Sequence, residues 1–285
     1  MASFSTTELN ATIDEIWNKS IEEARYASGV LLNRIQNRSS DVSKSGDKIN
    51  FTVKSVYTVG DVGSNGLCAA QVITPTSVQL IVNQFKQITI ETEDLAKAQS
   101  FWDPESDIAK DAGAAFAAYF DTAIAGQYSS FTNIAEVGAS ADPSAFDKTK
   151  MLSSMLKLAD KNIPRSDLSF WLPPIAFYGG ILTEVQLTSA DQAGMPKNVL
   201  TTNYRFPLLG VPAYESTTLA TVGTARKGML IHKSAMAIAF QKNNTIKRSD
   251  RTAALYATSV CLVLSLYGIK VIRDDHGVVI NVAAT

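Results

Sequence analysis

Apolar residues fall into different rhythms along this chain, and each change of rhythm marks an element. Leu9, Ile13, Ile16, Trp17, Ile21 and Ala24 recur at helical spacing with Glu and Lys on the other face, which predicts an amphipathic helix over residues 7–27. Such a helix is marginal alone in water, so its stripe must dock on its own body or on a neighbour. Residues 37–47 are rich in Ser, Asp and Lys and read as a loop. Then Ile49, Phe51 and Val53 alternate with Asn50, Thr52 and Lys54, the period of a strand. Residues 60–66 hold three glycines and form a flexible tip. Val78, Leu80 and Val82 then alternate with Gln79, Ile81 and Asn83, and Ile88 and Ile90 continue that face past Gln84 and Lys86. The pattern predicts a long polar hairpin over residues 46–91. An isolated hairpin is marginal, and its free edges invite pairing with another chain. A hairpin of this length is expected to lie on something outside its own domain.

Further along, Thr92-Glu93-Asp94 is placed to cap a short helix through Gln99. Asp103-Pro104-Glu105 opens a long helix to about Ser129, with Pro at the first helical position and acids in the first turn. Its apolar face carries Ile108, Ala112, Phe116, Tyr119 and Ala123, and its small residues permit close packing on a sheet. Residues 139–143 mark a boundary of small residues and Pro. Met151, Leu152, Met155, Leu156 and Ala159 form another helical stripe, which Asn162-Ile163-Pro164-Arg165 ends. Residues 168–172 read as a buried strand, Pro173-Pro174 opens a short helix through Leu182, and residues 184–203 read as a loop. The segment 206–216 is a turn feeding a strand. Strands are expected at 229–231 and 236–240 around a short Lys233-Ser234-Ala235 link, and at 253–266, 269–272 and 278–282. The order is that of an α+β protein with a compact α/β module in its middle.

The chain has 285 residues, 46% hydrophobic and 19% charged, enough for one large or two modest domains. Its net charge of -1 excludes a chain-wide electrostatic drive onto DNA or an anionic membrane. The charge is uneven, however. From Arg226 to Arg251 seven basic residues face one acid, Asp250. That run is either a solvated face neutralised elsewhere in the fold, or a subunit contact or a surface that tolerates nearby phosphate. Cys68 and Cys261 form neither a disulfide framework nor a zinc pattern and suit a reducing cytosol. The opening residues lack a signal-peptide signature. The most apolar late stretch, residues 260–271, is interrupted by Ser265, Gly268 and Lys270 and falls short of the ~20 residues of a spanning helix. A soluble protein without a membrane partner is expected.

His232 and His276 are the only histidines. Asp274-Asp275-His276-Gly277 has the composition of a turn between two strands, which wants Asp and Gly for backbone reasons alone. His232 has no acidic partner nearby in sequence, although a triad assembles in space and not in sequence. No Gly-x-Ser-x-Gly elbow, phosphate loop or His-Glu-x-x-His is present. The glycine-rich tip at 60–66 leads into no helix and so lacks a phosphate-binding N-terminus. Trp17, Trp102 and Trp171 lie on separate elements and read as core anchors. No catalytic, cofactor-binding or metal-ligating residue is assigned.

Taken in order, these segments resemble the major capsid protein of tailed double-stranded-DNA bacteriophages, the Hong Kong 97-type fold. Residues 1–45 resemble the N-arm and 46–91 the extended β-hairpin, or E-loop. Residues 92–143 resemble the peripheral domain, with its long spine helix from Pro104. Residues 144–235, with 162–165, 171–174 and 209–216, resemble the α/β axial domain, and 236–285 the closing peripheral-domain strands. The order and lengths of the segments carry this likeness; no single motif is diagnostic.

The resemblance implies a structural, non-enzymatic protein without cofactors. Its subunits form pentamers and hexamers of an icosahedral shell around packaged double-stranded DNA, contacted non-specifically. Portal and decoration proteins are further implied partners. The short segment before the hairpin leads us to expect a separate scaffolding protein. The implied location is the virion capsid, assembled in the host bacterial cytoplasm. Two other readings stand beside this one. An encapsulin shares the fold and replaces the N-arm with an N-terminal helix, which the stripe at 7–27 favours. An α/β enzyme with an unrecognised site would need a deep pocket with convergent polar groups.

Overall fold

The computed structural model describes residues 29–42, 48–53, 57–62, 72, 75–93, 104–135, 146–181, 208–251 and 258–283. The helix expected at 7–27, the boundary at 139–143, the loop at 184–203 and Cys68 lie outside the described residues.

A two-residue strand β1 (Gln36–Asn37) leads into a short helix α1 (Ser39–Val42). The hairpin follows as β2 (Lys48–Val53) and β3 (Thr76–Ile81), antiparallel, with Lys48 opposite Ile81 and Val53 opposite Thr76. The alternation read beyond Val82 does not continue this hairpin. Strand β4 (Gln84–Glu93) turns away and pairs elsewhere, and it carries Thr92 and Glu93, which the sequence reading placed at a helix cap. A ladder across ten residues outweighs a local capping signal. Helix α2 (Pro104–Ala125) is the long helix expected, with Pro104 as its first residue, and it closes in a 3-10 turn, Gly126–Ser130.

Strand β5 (Asn133–Ile134) precedes helix α3 (Lys148–Ala159). Asp147 caps α3 by accepting the Lys150 amide at 2.9 Å, and Asn162, at φ 56°, ends it in the left-handed region. Strand β6 (Leu168–Leu172) is buried at every position. The helix opened by Pro174, α4 (Pro174–Tyr178), is shorter than expected. Strands β7 (Ala213–Glu215), β8 (Thr221–Val222) and β9 (Ala225–His232) complete the middle.

The late strands are longer than the apolar rhythm implied. Strand β10 runs Met236–Arg251 and β11 Thr258–Val271, passing unbroken through Gly268, and β12 runs Gly277–Ala283. The polar second half of β10 gives no periodic signal. Its strand character comes from pairing with β11, which resumes after irregularities between Phe240 and Lys242 and between Lys242 and Thr245.

Two sheets organise the body. One has the order β1-β10-β11-β4; the other has the order β5-β12-β9-β6-β7, with β8 beside β9. The chain passes between them three times, from β4 through α2 to β5, from β9 to β10 and from β11 to β12. Helix α2 lies on the first sheet. Phe116, Phe120 and Ile124 meet Ile238, Phe240, Val263 and Tyr267 in one core, and Phe120 stands edge-on to both Phe240 and Tyr267 at 5.1 Å between centroids. The second sheet is two-faced. Trp171, Met229, Ile231 and Val279 join that core, while Phe170, Leu172, Leu230, Val278 and Ile280 face a second core under α3 and α4.

The hairpin is not wholly without support in its own chain, contrary to the expectation from its length. Leu80 and Val82 are buried against Val42, Ala237, Ala239 and Ile272, with Ile49, Phe51 and Val78 packed around them. Ala237 and Ala239 lie on the face of β10 opposite Met236 and Ile238, and their small side chains let the hairpin approach closely.

Candidate functional site

The two histidines that sequence reading kept apart meet at the crossovers between the sheets. His232 ends β9 and starts the 3-10 turn Lys233–Ala235; His276 ends the 3-10 turn Asp274–His276 that follows β11. Ser234 Oγ lies 2.7 Å from His232 Nδ1 and 2.9 Å from His276 Nδ1. One hydroxyl carries one proton, so it donates to one ring and accepts from the other. The Ser234 amide points at His232 Nδ1 at 3.2 Å and makes that nitrogen an acceptor. Ser234 therefore donates to His232, and the Nδ1–H of His276 donates to Ser234. This leaves His276 Nε2 bare, facing the Arg273 guanidinium at 3.4 Å with the Asp275 carboxylate at 3.8 Å.

A further proton has no good place in this arrangement. On His232 it would face the Ser234 amide; on His276 it would face Arg273. Burial holds both imidazoles below the usual histidine range, with Asp167 opposing the shift at His232 and Asp275 opposing it at His276. The constellation ties two crossovers together through neutral rings. Among the described residues no three metal-ligating side chains gather anywhere, and no helix is long and apolar enough to cross a membrane. No sequence spacing could have announced the cluster, because its partners are 42 residues apart.

The larger candidate surface is the hairpin. At its root the Cα of Gly268 touches the chain at Ile81 and Val82; a Cβ there would collide with the Ile81 carbonyl. Arg38 lies over the Phe51 ring at 5.9 Å and steadies the outgoing strand. Beyond the root, residues 57–62 have no regular structure, Val59 is 99% exposed and Val72 92% exposed. Single exposed apolar residues are ordinary, but several along one projecting excursion mark a contact surface. Strand β4 adds a second such surface, since among the described residues nothing pairs its outer edge.

No protein-family model matches the sequence, and no curated protein matches it. Solved structures do. A chain in a structure titled Mycobacterium phage Che8 superposes with a TM-score of 0.77 at 23% identity, over 94% of this chain and 96% of that one. A chain from the capsid structure of the cyanophage P-SCSP1u gives 0.79 at 14% identity, over 99% and 96%. A chain from the mature capsid of bacteriophage PhiM1 gives 0.74 at 11%, over 96% and 93%. The chain has a phage capsid fold. The likeness that segment order carried to tailed-phage major capsid proteins is thus a likeness of three-dimensional fold across nearly the whole chain. In this capsid fold the histidine cluster is a joint between sheets, and among the described residues the β4 edge is left without a pairing strand.

Proposed function

We propose that this protein is the structural major capsid protein of a tailed double-stranded-DNA bacteriophage. In this reading it has the Hong Kong 97-type fold and builds pentamers and hexamers of an icosahedral shell around the packaged genome. The carrying observation is the superposition on phage capsid chains end to end, with similar coverage of both partners. Residues 1–45 serve as the N-arm, 46–91 as the E-loop, 92–143 and 236–285 as the peripheral domain with α2 as its spine, and 144–235 as the axial domain. The exposed valines of the excursion then rest on a neighbouring subunit, and the protein acts by assembly, not by catalysis. A separate scaffolding protein guides closure, and portal and decoration proteins complete the virion.

The test is sedimentation velocity with electron microscopy, on the chain alone and together with its scaffolding protein. Monomers or small rings alone and closed shells with the scaffold are expected. Failure to form shells under both conditions overturns the reading, and closed shells from the chain alone favour the encapsulin-type alternative.

A further inference from the structure

An open groove of about 720 Å³ runs between the segment 32–39 and strand β10. Its polar wall includes Asn33, Asn37, Gln241 and Asn243 with Arg38 and Lys233, and among the described residues no carboxylate lines it. The two cations reach it from separate elements. The Arg38 amide donates to the Ile238 carbonyl at 2.8 Å, which fixes that residue beside β10, and the Lys233 amide donates to the Asp167 carbonyl at 3.0 Å. Both side chains are exposed. Neither is in an ion pair among the described residues. Strand β10 continues from the groove, and its sequence carries Lys242, Lys247, Arg248 and Arg251 against one acid, Asp250, in a chain whose net charge is -1.

We propose that this groove is a contact site for the phosphodiester backbone of double-stranded DNA. Carboxamide N–H groups and spaced cations suit phosphate oxygens, which demand donors and positive charge but no base-specific geometry. An apolar ligand would leave the amides unsatisfied. The choice of duplex DNA over other polyanions rests on the capsid reading. In that setting a local basic groove on a near-neutral subunit holds the genome loosely at defined points and leaves it free to slide elsewhere.

The experiment measures binding of the full chain to a labelled duplex of random sequence by fluorescence anisotropy across a salt series. It is repeated for Arg38→Gln combined with Lys233→Gln, and for Lys157→Gln combined with Lys161→Gln, an equal charge change on α3 and the turn after it. The groove variant is expected to lower the log–log salt slope by about 1.8, roughly 0.9 per lost phosphate contact, while the α3 variant leaves it unchanged. Equal slopes for the two variants, tighter binding of polyglutamate than of duplex, or no duplex binding by the wild type overturns the groove. Thermal melts of both variants matching the wild type assign the change to the groove and not to misfolding. Shell formation by the wild type with an unaltered slope in the groove variant leaves the capsid reading standing and removes this one. Absence of shells removes the capsid reading whatever the DNA result.

Discussion

The carbonyl of Ile81 rests on the bare Cα of Gly268. Gly268 faces Ala239 across the β10–β11 ladder, so the hairpin lands where two neighbouring strands present almost no side chain. A methyl group at Gly268 must push backbone aside and not a flexible side chain. Gly268→Ala is therefore expected to cost about 1–3 kcal/mol, the range for overpacking a close contact, and Gly268→Val more. Chemical denaturation measures the loss, and limited proteolysis within residues 57–62 should accelerate in parallel. An unchanged proteolysis rate with lowered stability would show that Gly268 serves the sheet alone and not the hairpin.

Asp121 makes the second long-range joint. Its carboxylate is fully buried and accepts the amides of Val30 at 2.7 Å, Leu31 at 3.1 Å and Leu32 at 3.3 Å, fastening the chain before β1 to the C-terminal end of α2. Asp121→Ala strands three donors, at least one of them buried, and is expected to cost about 3 kcal/mol, each unsatisfied group costing about 1–3. Asp121→Asn keeps one acceptor oxygen and removes a buried charge, so its cost should be smaller. Urea unfolding of the two variants checks the order.

Much of this architecture was legible because it follows from periodicity. Ala112 and Phe116 mark the buried face of α2 at helical spacing, although that face continues through Phe120 and Ile124 where the apolar rhythm pointed to Tyr119 and Ala123, and the alternation of Ile49, Phe51 and Val53 gives β2. What stayed hidden depends on partners distant in sequence. The polar half of β10 is a strand only because β11 pairs with it, and Thr92 and Glu93 extend β4 because Ser259 and Thr258 lie opposite. The three-way meeting of His232, Ser234 and His276 has no local signature, and neither does the groove that joins Arg38 to Lys233. The capping strength of Asp147 could have been read from the sequence, since it stands immediately before a helical stripe.

The histidine joint gives a pH dependence with a definite sign. Both rings are held below the usual histidine value of roughly 6.5. Below that pH the unfolded chain binds more protons than the folded one, so stability is full above about 6.5 and is lost as pH falls through the folded values. Asp121 acts oppositely. Burial raises its carboxyl despite the three amides, so its contribution is full below about 3.8 and declines as pH rises through the folded value. Unfolding free energy measured across the acid range should fall towards low pH between about 6.5 and the folded histidine values. Replacing both histidines with Gln should flatten that limb, and Asp121→Asn should leave it in place. A limb that survives the double histidine replacement assigns the dependence to other groups.

Excising the excursion separates folding from assembly. The root of the hairpin belongs to the body, because Leu80 and Val82 are buried there and Ile49, Phe51 and Val78 pack beside them. A deletion that removed β2 and β3 entirely would open that core and confuse misfolding with loss of contact. Replacing residues 54–75 by a two-residue Asn-Gly turn keeps β2 and β3 in register, with Val53 and Thr76 already opposite one another. The shortened protein should melt within a few degrees of the wild type, since the excised stretch carries exposed Val59, Val62 and Val72. In the presence of scaffold it should form capsomers or smaller species but no closed shells, because the surface assigned to a neighbouring subunit is gone. Electron micrographs decide the point. Closed shells from the shortened chain would remove the hairpin from assembly and shift that role to the free edge of β4.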